Sequence, residues 1–252
     1  DVDAVRGALE GCDVVVDCIG LPAERMADHP LTARVLADAV GPRGARLVHV
    51  SSYWAFLPLE RSPLDETHPR AGGNAYIRAR RAAEDVMLSA GAAVVHLPDF
   101  FGPHVGASSH QGPLADAAAG RAMSWIGRAD TVREAVYVPD AMRLVADLMT
   151  RDRAYGCSWV FPGNGPITAL ELAEISGRHL RRPVKVRPAG PLVLRLVSLF
   201  SRDLRAFMPM VPHYLGEIRY DASKLRDLLG DPAMTPYEET VPVTLDWLRG
   251  RE

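Results

Sequence analysis

Three stretches decide the fold: DVVVDCIG at residues 13–20, RLVHVSS at Arg46–Ser52 and AVVHL at Ala93–Leu97. Each is an apolar run rich in β-branched residues, without the strict polar alternation of a half-exposed strand. Runs of this kind suit strands buried on both faces, as in a parallel sheet covered by helices. Between them lie two stretches of helical spacing, residues 31–40, closed by Gly41-Pro42, and residues 75–90, ended by Gly91. Strands alternating with helices predict a doubly wound parallel α/β sheet with right-handed crossovers.

Working outward, residues 3–10 read as a short helix stopped by Gly11. After Pro103 the pattern loosens. A short helix is expected at 114–120, a strand at 133–138 and a helix from Pro139-Asp140 through Met149. A strand at 158–161 follows, then a helix over 168–179 with Thr168 as its N-cap. Residues 224–229 and 244–249 read as short closing helices. The most apolar segment, PLVLRLVSLF at 191–200, has only ten residues and contains Arg195. It suits a packed lid or a dimer contact better than a membrane-surface anchor.

Composition narrows the function classes. The chain has 252 residues, 48% hydrophobic and 24% charged, which gives a sizeable core and excludes disorder or coiled coil as its main description. A net charge of −2 supplies no general basic field for nucleic acid. No apolar run reaches the ~18 residues of a membrane span. Cys12, Cys18 and Cys157 form neither a disulfide framework nor a zinc spacing, and His104 and His110 are not at metal-ligand spacing, so no metal site is assigned. Only Lys185 and Lys224 are lysine; every other basic residue is arginine.

Five motifs stand in order along the chain: DVVVDCIG, HVSSY at 49–53, DETHPR at 65–70, NAYIRARRAAED at 74–85 and HLPDFFGP at 96–103. VREAVYVPDAM at 132–142 and YDASKLRDLLG at 220–230 follow. In this order and spacing they resemble the extended short-chain dehydrogenase/reductase family, the NAD-dependent epimerases and dehydratases, over essentially the whole chain. The resemblance implies a Rossmann-like sheet that binds NAD or NADP in the crevice at the carboxyl ends of its strands. A small C-terminal α/β lobe would hold the substrate. Residues 1–103, with 130–165 returning to them, would form the dinucleotide-binding domain, and 104–252 mainly the substrate lobe and C-terminal helices. The resemblance further implies a cytoplasmic protein, a small-molecule substrate such as a nucleotide sugar, and a homodimer through helices 31–40 and 75–90.

The glycine-rich pyrophosphate turn, G-x-G-x-x-G, is not found between a strand and a helix in these residues. The chain starts at Asp1 without Met, and family order places about two βα units, roughly 60 residues, ahead of it. The expectation is an N-terminally truncated sequence whose strand at 13–20 exposes an edge.

The family pairs Tyr-x-x-x-Lys on one helix as general acid/base and cofactor-ribose ligand. Here the pair reads Tyr76 and Arg80, four residues apart and so on one face. Arginine keeps the positive charge but does not exchange a proton. The hydroxyl that orients the substrate oxygen falls on Ser52 in one register and on Tyr53 in another. Ser51 and Ser52 could instead only satisfy backbone groups at a strand end. Gly20, Ser51, Tyr76, Arg80 and Phe101 are the cofactor-side candidates, with Phe101 against the nicotinamide. On the substrate side stand Asp99, where relatives carry Asn, and Arg133, matching the family's phosphate-binding arginine. Arg133 would otherwise pair with Glu134 or Asp140. His96 reads as a core residue of its strand. A second reading is a dinucleotide-binding sensor or scaffold without catalysis, motivated by arginine at position 80 and the ambiguous serine.

Overall fold

The computed structural model describes residues 2–21, 23–41, 44–106, 108–200 and 202–250. The chain runs through α1 (Val2–Ala8), β1 (Val14–Asp17), α2 (His29–Val40), β2 (Arg46–Ser52), α3 (Ala75–Ser89) and β3 (Ala93–Leu97). It continues with β4 (Asp99–Phe101), α4 (Gln111–Ala118), β5 (Met123–Ile126), β6 (Arg133–Tyr137), α5 (Val138–Met149) and β7 (Ser158–Val160). Then come β8 (Pro166–Ile167), α6 (Ala169–Leu180), β9 (Val186–Ala189), α7 (Pro191–Val197), α8 (Arg202–Phe207), α9 (Ser223–Leu229) and α10 (Tyr237–Arg249).

Four strands form a parallel sheet in the order β1-β2-β3-β7. Its strands alternate side chains between two apolar layers, as the period of two requires. Leu47 and Val94 point to a layer with Ala33, Leu36 and Val40 of α2 and Ala83 and Met87 of α3. Val48 and Val95 point to the opposite layer, with Leu144 and Leu148 of α5 and Leu225 of α9. Each such side chain contributes about 1.5–3 kcal/mol on burial. Helices on both faces explain why the strands lack polar alternation. The alanines of α2 and α3 are used within the chain, where they let these two helices pack together. β1 is an edge strand among the described residues, with Val16 and Ile19 exposed.

The second lobe has its own core. β4 pairs in parallel with β6, β6 antiparallel with β8, and β5 in parallel with β9. α4, α6 and α10 pack around them through Leu114, Leu172 and Val241. Thr168 caps α6 in a reciprocal capping box with Glu171.

Several elements differ from expectation. The strand at 13–20 ends at Asp17, because the Asp17 carboxylate accepts from the Ile19 N–H at 2.9 Å and turns the chain. The break after Leu97 is a single proline; the chain resumes as β4 in the other sheet. The helix expected at 244–249 begins at Tyr237. Pro242 removes one helix hydrogen bond, but burial of Tyr237, Val241 and Leu245 offsets it. Residues 191–200 do not form a packed lid: of α7 only Leu194 is buried.

A buried polar clamp fixes α3. Its N-cap, Asn74, accepts from the Ile77 N–H at 3.0 Å. Arg81 donates to the carbonyls of Ala55 and Leu57, both at 2.5 Å, and holds the turn after β2. Glu84, with no exposed surface, accepts from Ser51 Oγ of β2 and from Arg70 at 2.9 Å. It also contacts His96 Nε2 of β3 at 3.2 Å. Burial alone would raise the Glu84 pKa. His96, Ser51 and Arg70 outweigh it and hold the carboxyl below its ordinary value.

Two predictions follow from this packing. Glu84→Gln leaves the Arg70 guanidinium facing a neutral amide and should cost about 3 kcal/mol of stability in urea unfolding. A loss under about 1 kcal/mol, the scale of a surface pair, would show that the carboxylate is not the clamp. His110 is buried, and burial, aided by Arg133, lowers its pKa to about 3. The fold keeps it neutral, while the unfolded chain takes up a proton below about 6.5. Its contribution is therefore present above pH 6.5 and lost as pH falls from there toward about 3. His110→Phe should flatten the fall of melting temperature over that window; an unchanged profile would refute it.

Candidate active site

The carboxyl ends of β2 and β3, the start of α3 and the turn before residue 215 enclose a cleft of about 430 Å³. Ser52, Tyr76, Arg80 and Asp99 line it together with Trp54, Phe100, Ile126, Phe207 and Tyr214. Crevices in parallel α/β sheets form at this end because the loops diverge there.

Tyr76 and Arg80 share one face of α3. Arg80 Nη2 stands 3.4 Å from Tyr76 Oη, and its Cζ lies 5.7 Å from the Tyr76 ring centroid. Arg80 Nη1 donates to Ser51 Oγ at 3.3 Å, and Ser51 in turn donates to Glu84. The clamp that fixes α3 therefore also positions the guanidinium. Arg80 Nε is buried and has no protein partner. Ser52 caps the short turn of Tyr53–Phe56, its Oγ accepting from the Trp54 N–H at 3.3 Å, and it opens onto the cleft.

The opposite wall is aromatic and acidic. Trp54 packs 5.3 Å from Tyr76 and donates its indole N–H to Tyr214 Oη at 2.9 Å. Asp99 accepts from Ser109 Oγ. Burial raises its pKa, against the opposing pull of Ser109, Tyr214 and Arg133. A carboxyl in such a place is more readily neutral than one in water.

The structure gathers Ser52, Tyr76, Arg80 and Asp99 into one cleft and leaves the other candidates elsewhere. Tyr53 is fully buried behind the cleft, edge-on to Tyr220, and burial pushes its phenol well above the ordinary value. Of the two registers, Ser52 is the one that faces the cavity. Ser51 sits behind Arg80 as a relay to Glu84. Phe101 does not face the cleft: it stacks on Tyr237 at 5.5 Å in the second core, where its ring gains full burial, and Phe100 lines the cavity instead. Arg133 is also turned away. It is 1% exposed, donates to the carbonyls of Ile126 (2.6 Å) and Tyr214, and stacks over Trp125 at 4.8 Å. Neither proposed acidic partner binds it; Glu134 pairs with Arg219 and Asp140 with Arg143. Gly20 is exposed beyond β1, with open space where a Cβ would stand. His96 is a core residue, as expected.

Sequence reasoning missed the aromatic wall. Trp54 was hidden beside the serine pair, and Phe207 and Tyr214 lie between the apolar segment 191–200 and the motif at 220–230, where no candidate residue falls. The aromatic content of 207–214 was the available signal. Among the described residues no cluster of His, Cys, Asp or Glu could hold a metal ion.

Comparison with known proteins agrees with this architecture. The model of the NAD dependent epimerase/dehydratase family matches residues 1–157. No curated protein matches. Among solved structures, the chain is similar to UDP-glucuronic acid 4-epimerase from Bacillus cereus in complex with UDP-glucuronic acid and NAD. The identity is 12% and the TM-score 0.81, over 100% of this chain and 81% of that one. It is also similar to dTDP-glucose 4,6-dehydratase from Bacillus anthracis, at 15% identity and TM-score 0.78, over 100% and 78%. UDP-glucose 4-epimerase from Bifidobacterium longum is similar at 16% identity and TM-score 0.73, over 98% and 80%. At these identities the structural likeness speaks for the fold, and the family model carries the assignment. The chain belongs to the NAD dependent epimerase/dehydratase family.

Proposed function

We propose that this protein interconverts a hydroxyl and a carbonyl on a nucleotide sugar or similar small molecule, as an NAD(P)-dependent oxidoreductase of the epimerase/dehydratase kind. The observation that carries this reading is the Tyr76–Arg80 contact, 3.4 Å between phenol and guanidinium, inside a cleft at the carboxyl ends of parallel strands. The donor set fits the nicotinamide-ribose end of a dinucleotide: a guanidinium with one unpartnered buried N–H, a phenol and a serine hydroxyl. Tyr76 and Arg80 would hold the ribose hydroxyls. No glycine-rich pyrophosphate turn is found among these residues. When bound, the dinucleotide supplies a nicotinamide ring that takes or returns a hydride.

Within this reading Tyr76 Oη takes the proton of the substrate hydroxyl as the carbonyl forms and gives it back in the reverse direction. Ser52 Oγ donates to the same oxygen and fixes its direction. Arg80 keeps a positive charge beside the phenol without exchanging a proton, so the proton returns to substrate or passes to solvent. Asp99, across the cleft, disfavours an anionic substrate group near it while ionised. The nucleotide-sugar class rests on the likeness to enzymes named for such substrates. Arg133 donates to two carbonyls through Nη2, keeps Nε and Nη1 unpartnered, and is not among the residues that line the cleft.

Tyr76→Phe should lower turnover by about 100-fold or more while dinucleotide affinity stays within a few-fold. Nicotinamide absorbance with NAD(H) and NADP(H) and a nucleotide-sugar panel measures the first, calorimetry the second. Wild-type rates in Tyr76→Phe would defeat the assignment. Dinucleotide binding without turnover, unrescued by Arg80→Lys, would favour a sensor or scaffold.

A further inference from the structure

We propose that α7, with Leu199 and Phe200 just beyond it, docks this protein onto the surface of an anionic lipid bilayer. Helix α7 turns Leu194 inward, and Ser198 one turn later is also buried. Leu192, Val193, Leu196 and Val197 point outward, and at 3.6 residues per turn they cover an arc of about 140°. Leu199 and Phe200 extend this apolar surface beyond the helix. Leu192 is 84% and Phe200 88% exposed. A contiguous apolar patch of this kind on an otherwise well-buried protein marks an interaction surface.

Charge identifies the partner. Residues 175–202 carry seven Lys or Arg and no Asp or Glu, in a chain whose net charge is −2. Arg181, Lys185, Arg187 and Arg195 are exposed, and among the described residues none forms an ion pair with a carboxylate. Lys185 and Arg187 lie on the approach to α7, and Arg195 flanks its apolar arc. Arginine in that position can lie with its stem along the apolar surface and its head at the phosphate level. Arg205 adds a cation at the other end, donating to the carbonyls of Ser198 (3.2 Å) and Leu199 (2.7 Å).

A second copy of the chain fits this surface poorly. A two-fold contact would bring the same basic stretch against itself. An anionic headgroup layer supplies the opposite charge and an acyl boundary for the leucines and phenylalanine. Docking means lying on the membrane, since no helix among the described residues is long and apolar enough to cross one. It would also set the cleft beside the bilayer. α7 packs on α8 and on the turn Met208–Tyr214, and Phe207 and Tyr214 line the cavity.

The test is co-sedimentation of the full chain with vesicles of mixed phosphatidylglycerol and phosphatidylcholine, against phosphatidylcholine alone, at low and high salt. The protein should pellet with the anionic vesicles, several-fold less with the neutral ones, and less as salt rises. The double variant L192E/F200E should bind about tenfold or more weakly with unchanged circular dichroism. The milder L192S/F200S gives the same readout if the charges disturb folding. Failure of the wild type to bind anionic vesicles at low salt overturns the proposal, as does undiminished binding by both variants. Self-association that disappears in L192E/F200E, without vesicle binding, would instead assign the surface to a second copy.

Discussion

The cleft depends on a carboxylate that has no exposed surface. Glu84 sits where α3 crosses β2 and β3, and its two oxygens are taken by Ser51, Arg70 and His96. A lone charge in that position would be expelled by desolvation. Three partners from three segments turn it into a fastening. Because Tyr76 and Arg80 lie about two turns and one turn before Glu84 on the same helix, the fastening sets their height above the strand ends. Ser51 extends it to the Arg80 guanidinium. The pair proposed for the chemistry is thus held by a network whose members do not line the cleft.

Arginine at position 80 makes sense within that network. A lysine ammonium could reach a ribose or a phenol, but it has no planar fork with which to bridge two oxygens at once. Here the two terminal nitrogens approach Ser51 and Tyr76. Nε remains unpartnered. The replacement exchanges a proton-mobile cation for a fixed one that is better anchored. In the proposed reaction it would give constant electrostatic support and leave proton traffic to the phenol and the bound oxygen.

The first half of the fold was legible because both faces of its sheet are covered, which forces continuous apolar strands and places their ends predictably. Ser52, Tyr76, Arg80 and Asp99 were implied by the family resemblance, and strand ends plus a four-residue helical spacing explain why they meet in one cleft. What stayed hidden depended on distant contacts. Phe101 and Phe100 are adjacent and chemically alike, and distant partners of Phe101, Tyr137 and Tyr237 among them, accompany its burial. Arg133 was implied as an anion ligand by the family resemblance, while its partners here, the carbonyls of Ile126 and Tyr214, leave no mark in sequence. The helix from Tyr237 was shortened in expectation by Pro242, whose lost hydrogen bond is offset by burial no local pattern reveals.

These hidden residues share a location. The proposed catalytic pair comes from α3, early in the chain, while the wall facing it comes from Trp54, Ile126, Phe207 and Tyr214, drawn from three separate segments. Trp54 and Tyr214 are joined by an indole-to-phenol hydrogen bond, and Arg133 braces that wall from behind through the carbonyls of Ile126 and Tyr214. An arginine used in this way supports the cavity wall from outside the cleft lining. The wall and the first turn of α3 are mechanically coupled: Met210 accepts from the Asn74 N-cap at 3.4 Å, and Trp54, bonded to Tyr214, packs on Tyr76, whereas Glu84 and His96 reach the Arg80 guanidinium through Ser51.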